Sequence, residues 1–429
     1  MIDIKLLREN PQIVKDSQTK RGENPTAIDQ ILEHDKKWRE LLQEADKLRQ
    51  KRNVANEEIA KLKKVKKDAT VKIKEMQELA KKLQKTEGET DSAKASRDMA
   101  LSKIPNLVHD SVPPGKDDSD TQELKKWGAI PKFDFKPRDH IEICESLDLY
   151  DIERAAKTSG ARFFFLKNEA ALLETALANY AFNALVKKGF TAIIPPALVN
   201  DRVMYGVGML PRSQKEIYRI EKEGLNLILT AEHAICGMHM DEVFDIKDLP
   251  LHYVAFSPCY RTEAGSHGRD TKGIFRVHQF NKLEMFSFSP PNKSWEEHEL
   301  LLKCAENLMQ ELKLPYRIVN ICTGELGITA SKKYDIEAWL PGQGAYREVI
   351  SCSNCTDYQA RRLNIRYRTD SGEKPQPIHT LNSTALALSR TIIAILENNQ
   401  QKDGSIKIPK ILQPYMAGLK KIEPTGPKK

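Results

Sequence analysis

Residues 256–288 gather the side chains best suited to chemistry. Four cations, Arg261, Arg269, Lys272 and Arg276, crowd one Gly-rich loop between two runs rich in β-branched and aromatic residues. Guanidinium forks and an ammonium converging in this way can hold a polyphosphate. The pattern predicts a strand, a loop and a returning strand, with Glu263 on the first strand and Glu284 on the second. Alternate residues of a pleated strand share a face, so Arg261 and Glu263 are expected to point into one pocket. A surface β-ribbon carrying scattered charges has the same spacing.

Other nucleotide and metal signatures fail. There is no G-x-x-x-x-G-K-[ST], which excludes a P-loop. Gly206-Val207-Gly208 meets Pro211, and Gly342-Gln343-Gly344 meets Arg347, where a dinucleotide fingerprint needs a third glycine. Cys352-Ser353-Asn354-Cys355 has no second pair of matching spacing, and no His-Glu-x-x-His occurs, so no zinc is expected.

The elements that must position the loop divide the chain. Residues 1–104 hold 25 Lys+Arg against 19 Asp+Glu, most of the formal +8 of the whole chain. Lys61 to Lys85 alone has 10 Lys and 3 acids. This excess suits either a polyanion partner or a helix surface kept soluble by lysine. No proline stands between Pro25 and Pro105, and apolar residues recur at three- and four-residue steps from Ile28 to Leu62. A weaker stripe runs from Ile73 to Leu101. The spacing predicts an antiparallel helical hairpin over about 27–103 that breaks at 67–70. One continuous helix in a parallel dimer is the competing arrangement.

Pro and Gly punctuation predicts a linker at 105–130, and residues 131–429 read as a second domain. There, 168–188 and Ala385–Leu396 are expected helices. Segments 191–195, 226–230, 252–256, 275–288, 316–321, 334–340 and 346–351 are expected strands. Strands without regular intervening helices indicate an α+β class with an antiparallel sheet. With 40% hydrophobic and 30% charged residues, the composition is that of a soluble protein. No apolar run nears the ~18 residues of a membrane helix, and Met1 to Glu9 has acids and bases where a signal peptide needs an apolar stretch, so none is expected. Seven scattered Cys fit a reducing cytoplasm better than a disulfide framework. The tail from Lys420 to Lys429 is expected to be disordered.

Arg261-Thr262-Glu263, its loop, and Arg276-Val277-His278-Gln279-Phe280 resemble motif 2 of a class II aminoacyl-tRNA synthetase, and more narrowly that of the seryl-tRNA synthetase family. Thr230-Ala231-Glu232, Arg347-Glu348-Val349-Ile350-Ser351 and Thr380 to Arg390 agree with the same family. The last of these resembles motif 3, and Pro196 resembles the motif 1 proline at a dimer interface. The resemblance spans essentially the whole chain. It implies an α+β architecture in which an N-terminal two-helix coiled-coil arm precedes an antiparallel-sheet catalytic domain.

The resemblance further implies ATP-dependent attachment of L-serine to tRNA(Ser) through a seryl-adenylate, by a cytoplasmic homodimer. It leaves tRNA(Sec) as a further candidate substrate. Arg261 and Arg390 would hold the ATP phosphates, Arg276 would reach the γ-phosphate, and Phe280 would stack on adenine. Thr262, Glu263, Val277, Val349 and Ile350 complete the implied nucleotide site, with Glu263 on the adenine amino group. Glu348 and Ser351 would bind Mg²⁺ with ATP. Serine would be held by Thr230, Ala231, Glu232, Glu284, Asn382 and Thr384. Asn382-Ser383-Thr384 departs from the Asn-Gly-Ser of many relatives but keeps the hydroxyl. His267 and Lys272 are given no role.

Taken without the resemblance, Phe280 could be sheet core, Glu348 could pair with Arg347, and Thr384 could be an ordinary residue at a helix start. An RNA-binding relative without the activity and a coiled-coil scaffold with an unrelated domain are the competing functional readings.

Overall fold

The structure is a computed structural model that describes residues 1–264, 272–370 and 372–424. Arg269, His267 and the tail residues 425–429 lie outside the described residues. The chain divides into two compact units, Ile2–Pro105 and Asn106–Lys429, the second also including Met1.

The first unit is helical. Helix α1 (Ile4–Glu9) is capped by the Asp3 carboxylate, and α2 (Pro11–Lys20) starts on a proline, whose missing N–H is no loss there. Helix α3 (Ala27–Lys64) has 38 residues, about 57 Å at 1.5 Å per residue. It turns back into α4 (Thr70–Ser102). At the turn the Asp68 carboxylate accepts from the Thr70 N–H at 2.9 Å and from its hydroxyl at 2.6 Å. The break, residues 65–69, overlaps the expected segment at 67–70. Ion pairs Arg97–Asp35, Arg49–Glu87 and Lys72–Glu58 link the helices in opposite sequence order, as an antiparallel hairpin requires. Asp35 interrupts the apolar stripe yet is fully buried, because Arg8, Arg39 and Arg97 all reach its carboxylate.

The second unit is built on an eight-stranded sheet. Its strands are β1 (Gln122–Trp127), β2 (Thr191–Ile193), β3 (Leu251–Tyr260), β4 (Gln279–Ser289), β5 (Tyr316–Asn320), β6 (Lys332–Leu340), β7 (Ala345–Asn354) and β8 (His379–Ala387). The order is β1-β5-β6-β7-β8-β4-β3-β2, antiparallel throughout except for the parallel pair β3–β2. On one face Leu283, Met285 and Leu386 pack with α5 (Asn168–Val186), α7 (Ser294–Glu311) and α8 (Leu388–Asn398) in the larger core. On the other face Phe286 and Phe288 join a second core with α6 (Ala231–Met238).

Several expectations change. The helix expected from Ala385 begins at Leu388, because Leu386 and Ala387 pair with Leu283 and Lys282, and sheet pairing outweighs the helix preference of Ala and Leu. The returning strand starts at Gln279 rather than 275. Part of the expected linker, Gln122–Trp127, is edge strand β1, paired with β5. In the tail, Lys421 and Ile422 pair with Lys407 and Ile406, and Ile422 is buried. Helix α7 had not been expected, although Trp295, Leu301, Leu302, Leu308 and Met309 repeat at helical steps along it.

Candidate active site

The cleft lies on the sheet face that carries Phe280, Lys282 and Glu284, alternate residues of β4 that all line it. Two irregularities in the sheet shape its walls. Opposite β4, Leu283 pairs with Leu386 and Glu284 with Thr384, which leaves Ala385 unpaired and sets Thr384 beside Glu284. Between β6 and β7, Ile336 pairs with Ile350 and Glu337 with Glu348, leaving Val349 unpaired. A bulge of this kind re-aims side chains, and Glu348, Val349 and Ser351 all line the cleft.

At one end the cations cluster. The Arg261 guanidinium lies 5.2 Å over the Phe280 ring, and its Nε donates to the Leu229 carbonyl at 3.4 Å. Arg390 sits in the first turn of α8, 4.7 Å over the Phe275 ring, and Arg347 lies 5.0 Å over the same ring. Glu348 pairs with Arg390, at 3.1 Å. Its side chain is 47% exposed to the cleft. Withdrawal from bulk water opposes its ionisation, but Arg390, then Lys333 and Arg261, outweigh that and hold the carboxyl below its ordinary value.

Arg276 and Glu263 form an ion pair at 3.4 Å. Arg261 and Glu263 both line the cleft, but not by strand alternation. Strand β3 ends at Tyr260, and Glu263 turns inward through a left-handed backbone, φ +49. Such a conformation is costly for a residue with a side chain, of order 1–3 kcal/mol, and is a common mark of functional sites. After the loop, Gly273 at φ +68 packs on His140; a Cβ there would meet the imidazole Nε2 at 2.2 Å, so only glycine lets the chain return at this point.

At the other end the carboxylates cluster. Thr230 caps α6, its hydroxyl accepting from the Glu232 N–H at 3.4 Å, which fixes Glu232 on the cleft wall. The fully buried Gln359 donates to Glu232 at 2.7 Å, while its own oxygen accepts from the Thr380 hydroxyl at 2.7 Å. Burial first, and the Glu284 carboxylate second, push the Glu232 carboxyl up to about 7. Burial, reinforced by Lys282 and Arg261, holds neighbouring His233 down at about 3, so it is neutral. Glu284 is 2% exposed, accepts from the Thr384 hydroxyl at 3.4 Å and forms an ion pair with Lys282. Asn382 donates to the Cys355 sulfur at 3.6 Å.

Of the residues singled out from sequence, the cleft brings together Thr230, Glu232, Arg261, Glu263, Arg276, Val277, Phe280, Glu284, Glu348, Val349, Ser351, Asn382, Thr384 and Arg390. Thr262, Ala231 and Ile350 do not line it; Ile350 belongs to the larger core. Pro196 lies elsewhere, exposed just after edge strand β2. Lys272 is exposed and off the wall. Phe275, Lys282, Ala387 and Ser389 line the cleft without having been singled out. The period of two through Phe280 and Glu284 was the signal that could have found Lys282. Among the described residues no group of three or more His, Cys, Asp or Glu is placed to hold a metal.

Residues 217–399 match the tRNA synthetase class II core domain (G, H, P, S and T), and residues 1–108 match the seryl-tRNA synthetase N-terminal domain. A serine–tRNA ligase from Thermococcus onnurineus is 49% identical over 446 residues, covering 99% of this chain and 97% of the relative. One from Nitrosopumilus maritimus is 46% identical, covering 98% of this chain and all of the relative. The crystal structure of seryl-tRNA synthetase from Pyrococcus horikoshii complexed with ATP superposes with a TM-score of 0.93 at 48% identity, covering 99% of this chain and 100% of that one. The cytoplasmic serine–tRNA ligase from Naegleria fowleri in complex with AMP gives 0.88 at 36% identity, with 99% of each chain covered. With matches of this extent at both ends of the chain, this protein belongs to the seryl-tRNA synthetase family.

Proposed function

We propose that this chain is an ATP-dependent serine–tRNA ligase that works through a seryl-adenylate. The observation that carries the reading is a cleft lined by two sets of side chains: Arg261, Arg276 and Arg390 with Phe280 and Phe275, and Thr230, Glu232, Glu284 and Thr384. The first set suits a triphosphate and a stacked base. The second suits a small amino acid with an ammonium and a hydroxyl. Buried carboxylates left unpaired by a substrate lacking those donors discriminate more strongly than a size filter does.

In the first step a serine carboxylate oxygen forms a bond to the α-phosphorus while the bond to pyrophosphate breaks. In the second, a ribose hydroxyl of the terminal adenosine of tRNA attacks the acyl carbon and AMP leaves. The chain supplies position and charge rather than a nucleophile. Arg261 and Arg390 face the phosphates, Arg276 exchanges Glu263 for the γ-phosphate, and Glu263 then reads the adenine amino group. Val277 and Val349 pack against the nucleotide, with Thr262 and Ile350 holding those segments in place from behind. Ala231 does the same between Thr230 and Glu232, and Asn382 supports Thr384.

The Glu348 carboxylate and the Ser351 hydroxyl are hard oxygen donors on one wall, a set that fits Mg²⁺ completed by ATP phosphates. When bound, the ion neutralises phosphate charge. We assign the polyanion-binding role to the unit at 2–105, whose exposed lysines at 61–85 fit tRNA. The unit at 106–429, which includes the edge strand within 105–130, is proposed as the catalytic domain. Homodimerisation is proposed around Pro196, where neighbouring Ile194 is 79% exposed beside the open edge of β2. A reducing cytoplasm is proposed because all seven cysteines are buried free thiols; no helix among the described residues is long and apolar enough to cross a membrane.

The test is aminoacylation of tRNA(Ser), with tRNA(Sec) as a second arm, by serine, threonine, alanine and cysteine. Charging by serine alone is expected. Charging by threonine alone, or by nothing, contradicts the reading.

A further inference from the structure

Lys282 has no part in the roles given above, yet it lines the cleft between Phe280 and Glu284 on β4. Phe280, Lys282 and Glu284 are alternate residues of β4, so each stands about 7 Å from the next. Phe280, under the Arg261 guanidinium, marks the nucleotide end. Glu284, beside Thr384, marks the amino-acid end. Lys282 therefore stands where the reacting groups of two substrates must meet.

Its burial limits what it can do there. Lys282 is 6% exposed, and a buried ammonium must be paired. Among the described residues its ion-pair partner is Glu284, itself 2% exposed. Once a substrate ammonium enters this end, Glu284 is shared between it and Lys282. The substrate's own carboxylate is the anion that restores balance.

We infer that Lys282 receives the carboxylate of the bound amino acid, closing a ring of alternating charge whose other link is the substrate ammonium on Glu284. This rests on the serine-activating reading above. The ring aims the carboxylate along β4 toward the α-phosphorus. As the new oxygen–phosphorus bond forms and pyrophosphate departs, the carboxylate charge disappears. The Lys282 ammonium, keeping its proton, then faces the α-phosphate oxygens.

L-serine and L-serinamide differ only in carboxylate against neutral amide, so their dissociation constants on the full-length protein test the contact. The wild type is expected to prefer serine by about tenfold or more, the size of a charge-assisted hydrogen bond. In Lys282→Met that preference falls to within about twofold through loss of serine affinity, while serinamide binds as well or better because Glu284 is no longer shared. Serine-dependent ATP–pyrophosphate exchange falls at least about 100-fold in kcat, and Lys282→Arg keeps the preference for serine. If Lys282→Met does not fold, Lys282→Gln, which retains a donor for Glu284 without the charge, is judged by the same criterion. Equal weakening of both ligands, or a preference that survives the loss of charge, overturns the inference. A wild type lacking serine-dependent exchange overturns the ligase reading and this inference with it, whereas exchange with an unchanged preference overturns this inference alone.

Discussion

In the hairpin of the first unit, Lys82–Glu44 and Lys72–Glu58 are ion pairs whose side chains are all 42–62% exposed, while in the cleft Lys282 and Glu284 pair at 8% and 2% side-chain exposure. Exposed pairs each contribute about 0–1 kcal/mol, since water and salt compete with them. Buried pairs cannot be broken on one side without stranding a charge. The hairpin thus keeps many charges exposed, as the proposed binding of tRNA phosphates requires. The cleft commits few charges, each aimed at one group of a small substrate. Asp35 is the exception within the hairpin: it is a buried carboxylate with three arginines, and it behaves like the cleft.

Substitutions can break this contrast, and the largest effect is expected at Arg261. Arg261→Ala removes a full charge from the reacting end and is expected to lower ATP–pyrophosphate exchange by at least about 10³-fold without unfolding the protein, as circular dichroism would verify. Glu284→Ala should raise the KM for serine by about 10²-fold or more. By leaving Lys282 buried and unpaired, it should also cost about 3–5 kcal/mol in denaturant unfolding. Adding Lys282→Met should recover part of that stability but none of the activity.

Asp35→Asn is the matching test in the hairpin, with an expected cost of about 3 kcal/mol. Burial opposes ionisation of Asp35, but its hydrogen bonds from Arg8 and Arg97 and the charge of Arg39 hold its pKa below the ordinary value. A carboxyl depressed on folding contributes its stability above the unfolded value of about 3.9 and loses it as pH falls through the folded one. The gap in thermal stability between wild type and Asp35→Asn should therefore be full at pH 7 and close below about pH 4. A smaller effect is expected at Glu232. With its carboxyl near 7, serine affinity should rise by roughly tenfold at most between pH 6 and 8 as the anion forms, and Glu232→Gln should flatten that profile.

The smallest effect on stability belongs to the exposed lysines. Lys63→Gln with Lys64→Gln should change unfolding by less than about 0.5 kcal/mol. The same pair should make the salt dependence of tRNA binding shallower by about one for each lysine that touches phosphate.

The two regions were also unequally legible from sequence. The hairpin and its turn follow from a missing proline, two apolar stripes and Asp68, all local signals. The buried role of Asp35 was hidden, because its arginine partners at 8 and 97 are remote in sequence. In the cleft, Arg261, Phe280, Glu284 and Thr384 were visible as types and spacing. The way Glu263 reaches the cleft was not, since it depends on a left-handed turn after the strand ends. The unpaired Ala385 that sets Thr384 against Glu284 was equally hidden, and so was the true start of α8. Lys282 is hidden too, because one lysine among many in a basic sequence carries no mark of its burial.

Joining a serine carboxylate to ATP in one cleft is the step on which the rest depends. It is tested most directly by ATP–pyrophosphate exchange measured without tRNA, with serine, threonine, alanine and cysteine in parallel. Rapid exchange is expected with serine, at least about 10²-fold slower exchange with the other three, and near loss of the serine signal in Arg261→Ala. Exchange that is independent of serine, or that survives Arg261→Ala at a near-normal rate, would contradict it.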